Sequence, residues 1–512
     1  MACSAKSSGF FRVLLIDKSV EVAFQLGGLI ETQTSKPLTV TGRAAGIAAL
    51  LGASVLSSCV SNELEVEDPA ALVGGMPTRW TSSAETIPGA AVTGWLADFG
   101  SPKLSALVDE AVFANYDLAA SAYRVSQSRE RALIAGAERL PTFDAGTRVN
   151  RSQGLRGAAF QTVRANNFNF ALDFAWEVDL WGRIKNLRDA EYDQVVVQSN
   201  LYESSRLSLA GNVAKTAFDI VKARLQIEIA RSTLSSLRTN LEILDANLEA
   251  GGGDDSTALE ISLSRADIAR AESSILFEQR QMDAAKRILE TLLGRYPAGS
   301  IEGIGTLPSI SRKVPAGLPS ELLLRRPDLL AAESQIDASM KELAASRKAL
   351  LPTIAITADG GTATTDDFGD LFNIQNLVWS IGANLTQPLY RGGRLRADIR
   401  LDEDERDELI AAYAETALNA FREVESALAA ERYLTGQEAA LARAVRESNR
   451  AQSLSLSQYE QGLVDIITLL ESQRRAFDSE SRHLEVQLEL LQNRVDLYLA
   501  LGGDFDHALE GK

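Results

Sequence analysis

Histidine and cysteine are nearly missing from this chain. Its 512 residues hold two His, His483 and His507, and two Cys, Cys3 and Cys59. A histidine-centred catalytic site or a His-rich metal centre needs more than that. Two cysteines near the N-terminus build neither a disulfide framework nor a Cys-based zinc site. Aromatics make up only 6% and there are 13 Pro, which favours helix. No apolar run reaches 18 residues, so no transmembrane helix is expected in the mature chain. A basic surplus is absent too: Lys and Arg total 52 against 69 Asp and Glu, a net charge of −17. That argues against nucleic acid as the main partner, because phosphate binding needs a basic face. At 45% hydrophobic and 24% charged, the chain is not disordered. Its length gives a prior of about three domains.

The first feature present is an address. Arg43 precedes an apolar segment from Ala44 to Val55, followed by Leu56-Ser57-Ser58-Cys59. A short apolar run behind a positive residue has the form of a secretory signal. Small residues before a Cys at its end resemble a lipoprotein cleavage site, with Cys59 as the acylated first mature residue. Acyl chains contribute about 0.8 kcal/mol per buried methylene, so a multiply acylated Cys59 would hold the chain on a membrane. Residues 1–58 are read as extension plus signal peptide.

The remainder repeats at a period of about 210 residues. Leu140-Pro141-Thr142 recurs as Leu351-Pro352-Thr353, and Gly182 as Gly392. Gly251 recurs as Gly462, and Leu292-Leu293-Gly294 as Ala500-Leu501-Gly502. The boundaries that follow are a first repeat at 59–294, a linker at 295–318, a second repeat at 319–503 and a tail at 504–512.

Each repeat has the same order of parts. A helix over 102–139, or 319–350, comes first. A strand pair follows. Phe168, Phe170, Leu172, Phe174, Trp176 and Val178 alternate with Asn169, Ala171, Asp173, Ala175, Glu177 and Asp179. This is a period-2 strand with one apolar and one polar face. Its partner sets Phe143, Ala145, Thr147 and Val149 against Asp144, Gly146, Arg148 and Asn150, with a loop at about 152–166. The second repeat offers Ile354, Ile356 and Ala358, then Trp379, Ile381, Ala383 and Leu385 alternating with Ser380, Gly382, Asn384 and Thr386. Its loop is set at 360–376. Long helices are expected over 184–250, 256–293, 394–461 and 465–500. Leu234, Leu237, Leu241, Leu244 and Leu248, and Leu484, Leu488, Leu491, Val495 and Tyr498, keep heptad spacing. A helix of about 65 residues is roughly 100 Å long.

Four strands of about ten residues, apolar on one face and polar on the other, suit a membrane β-barrel. Alone they cannot close one, and lipid tolerates no open edge. Chains must pool strands: two give eight, three give twelve. Eight-stranded barrels fill with side chains, so a trimer is the smallest assembly with an open pore.

With these parts in order the chain resembles the outer-membrane efflux factors (TolC-like channels), and most the lipoprotein branch serving resistance-nodulation-division pumps. The resemblance spans about 59–503. It rests on Trp95 with Phe99, on Leu104 to Leu118 ending Asn115-Tyr116-Asp117-Leu118, and on Arg325-Arg326-Pro327-Asp328-Leu329 with Ala332-Glu333. It rests also on the Leu-Pro pairs, on Gly182 and Gly392, and on Tyr459-Glu460-Gln461-Gly462 running to Leu469-Leu470-Glu471-Ser472-Gln473. The fold it implies is mainly α with a membrane β-barrel. Four strands per chain would form a twelve-stranded barrel in a trimer, continued by a helical periplasmic tunnel. The first-repeat turn, Gly251 to Asp255, is richer in Gly than that pattern.

The resemblance implies a pore closed at its periplasmic end. The matching stretch is Gly462 to Gln473. Ile467 and Glu471 are four apart and share a helix face, so Ile467 is expected to form an apolar ring and Glu471 a carboxylate ring. Asp465 adds a second acidic layer, and Glu260 is the counterpart in the other repeat. Crowded carboxylates would hold cations. Asp144, Asp173, Glu177 and Asn384 are expected to face the lumen; Phe168, Phe170, Phe174, Trp176 and Trp379 are expected to face lipid. The implied partners are two further copies of the chain, a periplasmic adaptor docking at about 245–260 and 455–475, an inner-membrane pump and the lipid bilayer. No cofactor or metal is implied. Gly251-Gly252-Gly253 follows no strand and so is no phosphate cradle, and Asp254-Asp255 lacks calcium-loop spacing. Three other readings stay open: a type I protein-secretion conduit, a non-pore helical structural lipoprotein, and an enzyme with an all-helical core.

Overall fold

The computed structural model describes residues 79–82, 94–156, 161–249, 255–309, 314, 319–365 and 367–503. Cys59, the turn at 251–254 and the tail at 504–512 lie outside the described residues.

Each repeat opens with a broken helix. The sequence predicts one helix over 102–139; the chain forms α1 (Pro102–Ala114) and α2 (Tyr116–Ala137). Asn115 causes the break. Its backbone is extended, and its side chain accepts from the Asp117 and Leu118 amides at 3.0 Å, capping α2. The second repeat breaks likewise into α5 (Pro319–Leu322) and α6 (Pro327–Lys348), because Pro327 holds Arg326 extended. Between these pairs run α3 (Arg183–Asn247) and α4 (Asp255–Leu292); α7 (Arg394–Glu460) and α8 (Ile466–Ala500) complete the second repeat.

The duplication is tied together the same way twice. The Asn115 amide donates to the Leu292 carbonyl at 2.9 Å, and the Arg326 guanidinium to the Ala500 carbonyl at 3.3 Å. Each repeat thus fastens the start of its first long helix to the end of its last. The next turn carries Gly294 and Gly502, both at φ 67. A Cβ on Gly294 would sit 2.4 Å from the Ala114 carbonyl oxygen, and one on Gly502 would sit 3.1 Å from Arg325. Both positions therefore demand glycine for backbone shape and for close approach.

The strands form one antiparallel meander, β1 (Thr142–Arg156), β2 (Gln161–Val178), β3 (Thr353–Thr364) and β4 (Leu377–Thr386). β1 and β2 run into the segment read as a loop at 152–166, pairing as far as Arg156 with Gln161. β3 likewise runs past 360, and its connection to β4 contains two short 3-10 turns, Phe368–Phe372 and Ile374–Asn376. Alternation had stopped the strands where their faces lose contrast, but backbone pairing continues without apolar contrast. β2 pairs with β3, joining the repeats edge to edge, and β1 and β4 remain the outer strands.

The helices bury three apolar clusters, the first two of which share Val314 at their margin. Trp95 stacks on Tyr498 at 5.5 Å, with Phe99 and Phe218 beside them. Leu329, Tyr413, Val424 and Leu497 form a second core with Trp80. Leu234, Leu237 and Leu244 are buried as heptad spacing predicts, but Leu248 is exposed and lies beyond the end of α3. Leu484, Leu491, Val495 and Tyr498 are all buried.

Trp80 is held by a polar clamp. The Glu425 carboxylate accepts from the Thr81 amide (2.7 Å), the Thr81 hydroxyl (2.8 Å) and the Ser82 amide (2.9 Å). Burial raises its pKa, but these bonds outweigh that and hold it below 4.5. A lowered carboxyl pKa stabilises above its ordinary value and is lost as pH falls through the lowered one. Acidification through that lowered value is therefore expected to release residues 79–82, and Glu425→Gln to release them at pH 7. Hydrogen exchange over that segment measures both; equal protection in wild type and variant at pH 7 contradicts the clamp.

Candidate functional site

The turn between α7 and α8 is built by Gly462 and Asp465. Gly462 takes φ 70, and the Leu463 amide donates to the Gln458 carbonyl at 2.8 Å. Asp465 caps α8, accepting from the Thr468 amide at 2.8 Å and its hydroxyl at 2.6 Å. These two bonds, the side-chain one foremost, hold its carboxyl below the ordinary value. Asp465 is thus a helix cap at the same place where the sequence suggests an acidic layer. Asp465→Ala is expected to destabilise this turn, and Asp465→Asn to do so much less. Exchange at residues 466–470 in both variants checks this; equal loss would make charge, not capping, the role.

Behind the cap, Ile466, Leu469 and Leu470 are buried against Leu234, Leu237 and Leu244 of α3 and Ile261 of α4. Ile467 is 47% exposed and Glu471 is also exposed, so the two share the outward face that their spacing demands. Glu471 is not alone. Its carboxylate accepts from Arg475 at 2.9 Å and lies 4.0 Å from Arg474. Arg474 reaches across to buried Asp267 of α4 at 2.7 Å, which also accepts from Arg270 at 3.1 Å. Asn240 of α3 donates to Gln473 at 2.9 Å, with both side chains buried. Ile467 and Glu471 therefore stand on a helix fastened to both helices of the other hairpin. Glu260 lies near Tyr459; burial first, then the Glu260 charge, raises the tyrosine pKa. Glu260, near the start of α4, thus stands close to Tyr459, near the end of α7.

Sequence reasoning missed Arg474, Arg475, Asp267 and Asn240. The Glu471–Arg475 spacing of four was a readable signal. The Arg474–Asp267 pair carries none, because its residues are 207 apart.

The sheet sits at the far end of the rods, with α2, α3, α6 and α7 adjoining its strands in sequence. Its register sorts the expected residues onto two faces. Phe143 lies opposite Phe174 and Val149 opposite Phe168, while Trp176 meets Ile356 and Gly360 meets Trp379. Alternation then puts Phe168, Phe170, Phe174, Trp176 and Trp379 on one face. Trp379 is 72% exposed, and the Trp176 indole donates to the Arg139 carbonyl at 2.9 Å. The opposite face aligns Asp144, Asp173 and Asp359 across three strands, and the Ser380 hydroxyl donates to Asp359. Glu177 accepts from Arg183 at 2.9 Å, and Asn384 donates to Thr386 at 3.2 Å. Asp359 is the residue missed here: only the register shows it level with Asp173.

Among the described residues no group of His, Cys, Asp or Glu is arranged to hold a metal ion. His483 meets Glu438 at 2.9 Å on the helical surface. No described helix is long and apolar enough to cross a membrane.

An amphipathic four-stranded sheet with unpaired edges, carried on rods of 65 and 67 residues, has the parts of a membrane channel that closes its barrel between chains. The chain belongs to the outer membrane efflux protein family, whose sequence profile matches residues 107–295 and 318–503. It is 32% identical to outer membrane protein OprJ of Pseudomonas aeruginosa over 470 residues, covering 90% of this chain and 96% of that one. The toluene efflux pump outer membrane protein TtgI of Pseudomonas putida is 32% identical over 409 residues, covering 79% and 86%. The structure also resembles the open state of the Neisseria gonorrhoeae MtrE outer membrane channel, with a TM-score of 0.76, 26% identity, and 85% and 97% of the two chains covered. It is thus an outer-membrane efflux channel.

Proposed function

We propose that three copies of this chain pool their strands into a twelve-stranded barrel and their rods into a periplasmic tunnel. Together they form the passive exit duct of a tripartite efflux system. The observation that carries this reading is the register, which gives one continuous apolar face and one polar face across all four strands and leaves β1 and β4 as edges. Edges unpaired within a chain must pair between chains in lipid. The apolar face meets lipid; Asp144, Asp173, Asp359, Glu177 and Asn384 wet the lumen. The duct does no chemistry, and an inner-membrane pump drives export through a periplasmic adaptor docked at the hairpin turns. Ile467 and Glu471, with Arg474 and Arg475, line the constricted periplasmic end. Acylated Cys59 anchors the mature chain.

Native mass spectrometry of detergent-extracted protein tests assembly and anchor together. A trimer of chains beginning at acylated Cys59 is the expected result, with ion-conducting channels in planar bilayers. A non-conducting monomer overturns the duct, and an unmodified N-terminus overturns the anchor alone.

A further inference from the structure

The outer face of the sheet changes character at one level. On β2 the apolar series runs from Val178 up to Phe168 and then turns polar at Asn166 and Arg164. On β1 the same change falls at the same register: Val149 lies opposite Phe168, Arg151 opposite Asn166 and Gln153 opposite Arg164. Arg164 Nε donates to Gln153 Oε1 at 2.8 Å, which confirms that the arginine stays on this face. From Val178 to Phe168 the strand covers about 33 Å, or about 25 Å of height at a tilt of about 40°. That is the height of an outer-membrane apolar band, about 25 Å. Phe168 therefore marks its upper limit, and Arg151 and Arg164 stand roughly 7 to 13 Å of strand beyond it.

The connection from β3 to β4 folds onto this same face at this same level. Thr362, in register with Phe170, donates from its hydroxyl to the Leu371 carbonyl at 2.5 Å. Phe368 meets Phe168 edge-on at 5.9 Å, and Phe372 meets Phe368 at 6.4 Å. Leu371 is buried, while Phe372 is 85% and Ile374 80% exposed. The connection thus adds an apolar shoulder to the face just beneath the two arginines.

We propose that this corner binds a phosphorylated, acylated lipid of the outer leaflet, with Phe372 and Ile374 among its upper acyl chains and Arg151 and Arg164 on its headgroup phosphate. The inference rests on the channel reading, because it needs the apolar face to meet lipid. Two observations select this occupant. The shoulder is continuous with the lipid-facing surface, and the arginines supply local positive charge on a chain whose net charge is −17. Guanidinium groups match phosphate oxygens in paired hydrogen bonds. The connection also carries Asp367 and Asp370, and the Asp367 carboxylate accepts from the Phe368 amide at 3.1 Å. The phosphate contact is therefore assigned to the β1–β2 side of the corner.

The test is native mass spectrometry of the full-length assembly with bis-phosphorylated lipid A, with phosphatidylcholine, or with inorganic phosphate. Wild type is expected to retain up to three lipid A molecules per trimer and to retain phosphatidylcholine less well. R151Q/R164Q is expected to weaken lipid A about tenfold and leave phosphatidylcholine unchanged. F372S/I374S is expected to weaken both lipids by a similar factor. Inorganic phosphate alone is expected not to bind. Equal retention of lipid A by wild type and both double variants overturns the proposal, as does equal retention of the two lipids by wild type. An intact trimer in those spectra that also conducts in planar bilayers leaves the channel reading standing; a monomer that does not conduct removes it.

Discussion

Leu172→Arg is expected to abolish assembly, while Ala171→Arg, one residue away, leaves the trimer intact. Leu172 lies near the middle of the apolar face of β2, opposite Ala145 and Gly360. An arginine at the bilayer midplane costs about 2–4 kcal/mol, and threefold repetition multiplies it to roughly 6–12 kcal/mol per assembly. That is comparable with the whole stability of a domain. Ala171 points to the other face, between Gly146 and Gly361, where small neighbours leave room and the proposed lumen supplies water. The yield of trimer in outer-membrane extracts is the measurement. Equal yields from both variants would remove the assignment of faces, and the reverse order would turn the sheet inside out.

The second large effect is expected at the hairpin turn. Ile467→Ser with Glu471→Ser removes an apolar group and the partner of Arg475 from the outward face of α8. An exposed ion pair contributes about 0.2–1 kcal/mol, a negligible amount in one copy. It is also made within one helix, so it is present in open and closed states alike; in the proposed trimer the apolar contact of three Ile467 side chains on the axis is what the closed state loses, roughly 3 kcal/mol. Because 1.4 kcal/mol is a factor of ten, the open fraction is expected to rise about a hundredfold. Single-channel recordings and drug uptake by whole cells read it directly. Unchanged conductance and unchanged uptake would overturn the proposed constriction at Ile467 and Glu471. The single variant Arg475→Ala separates the terms: it disturbs the ion pair and leaves Ile467 untouched. The buried core of Ile466, Leu469 and Leu470 remains in every variant, so helix packing is preserved.

Much of this architecture is legible in the sequence because its signals are periodic. Alternation at period two fixed which residues of β2 share a face, and β1, β3 and β4 followed the same rule once paired. Heptad spacing marked Leu234, Leu237 and Leu244 as a seam, and they are buried. The duplicated Leu-Leu-Gly and Ala-Leu-Gly landmarks proved to be turns doing the same job, with Gly294 and Gly502 pressed against the start of each repeat. Local signals that oppose periodicity were harder to weigh. Asn115 carries a strong cap signal, yet the apolar pattern continues across it, so periodicity predicts one helix where two exist. Alternation stops short of the strand ends at Arg156 and Thr364 because pairing there is carried by backbone hydrogen bonds, which leave no trace in side-chain polarity.

By itself, the sequence determined the duplication, the two faces of each strand, the heptad seams and the shared face of Ile467 and Glu471. All of these are set by geometry within a few residues, through the periods of helix and strand. Only the tertiary structure decided which strands meet, and so that Asp359 joins Asp144 and Asp173 in one row. It alone placed Arg474 on Asp267 and folded Phe368 and Phe372 over the outer face. Those contacts join residues far apart in the chain or turn on the path of a single connection. Long-range pairing has no period to announce it, and its partners are fixed only when the backbone closes.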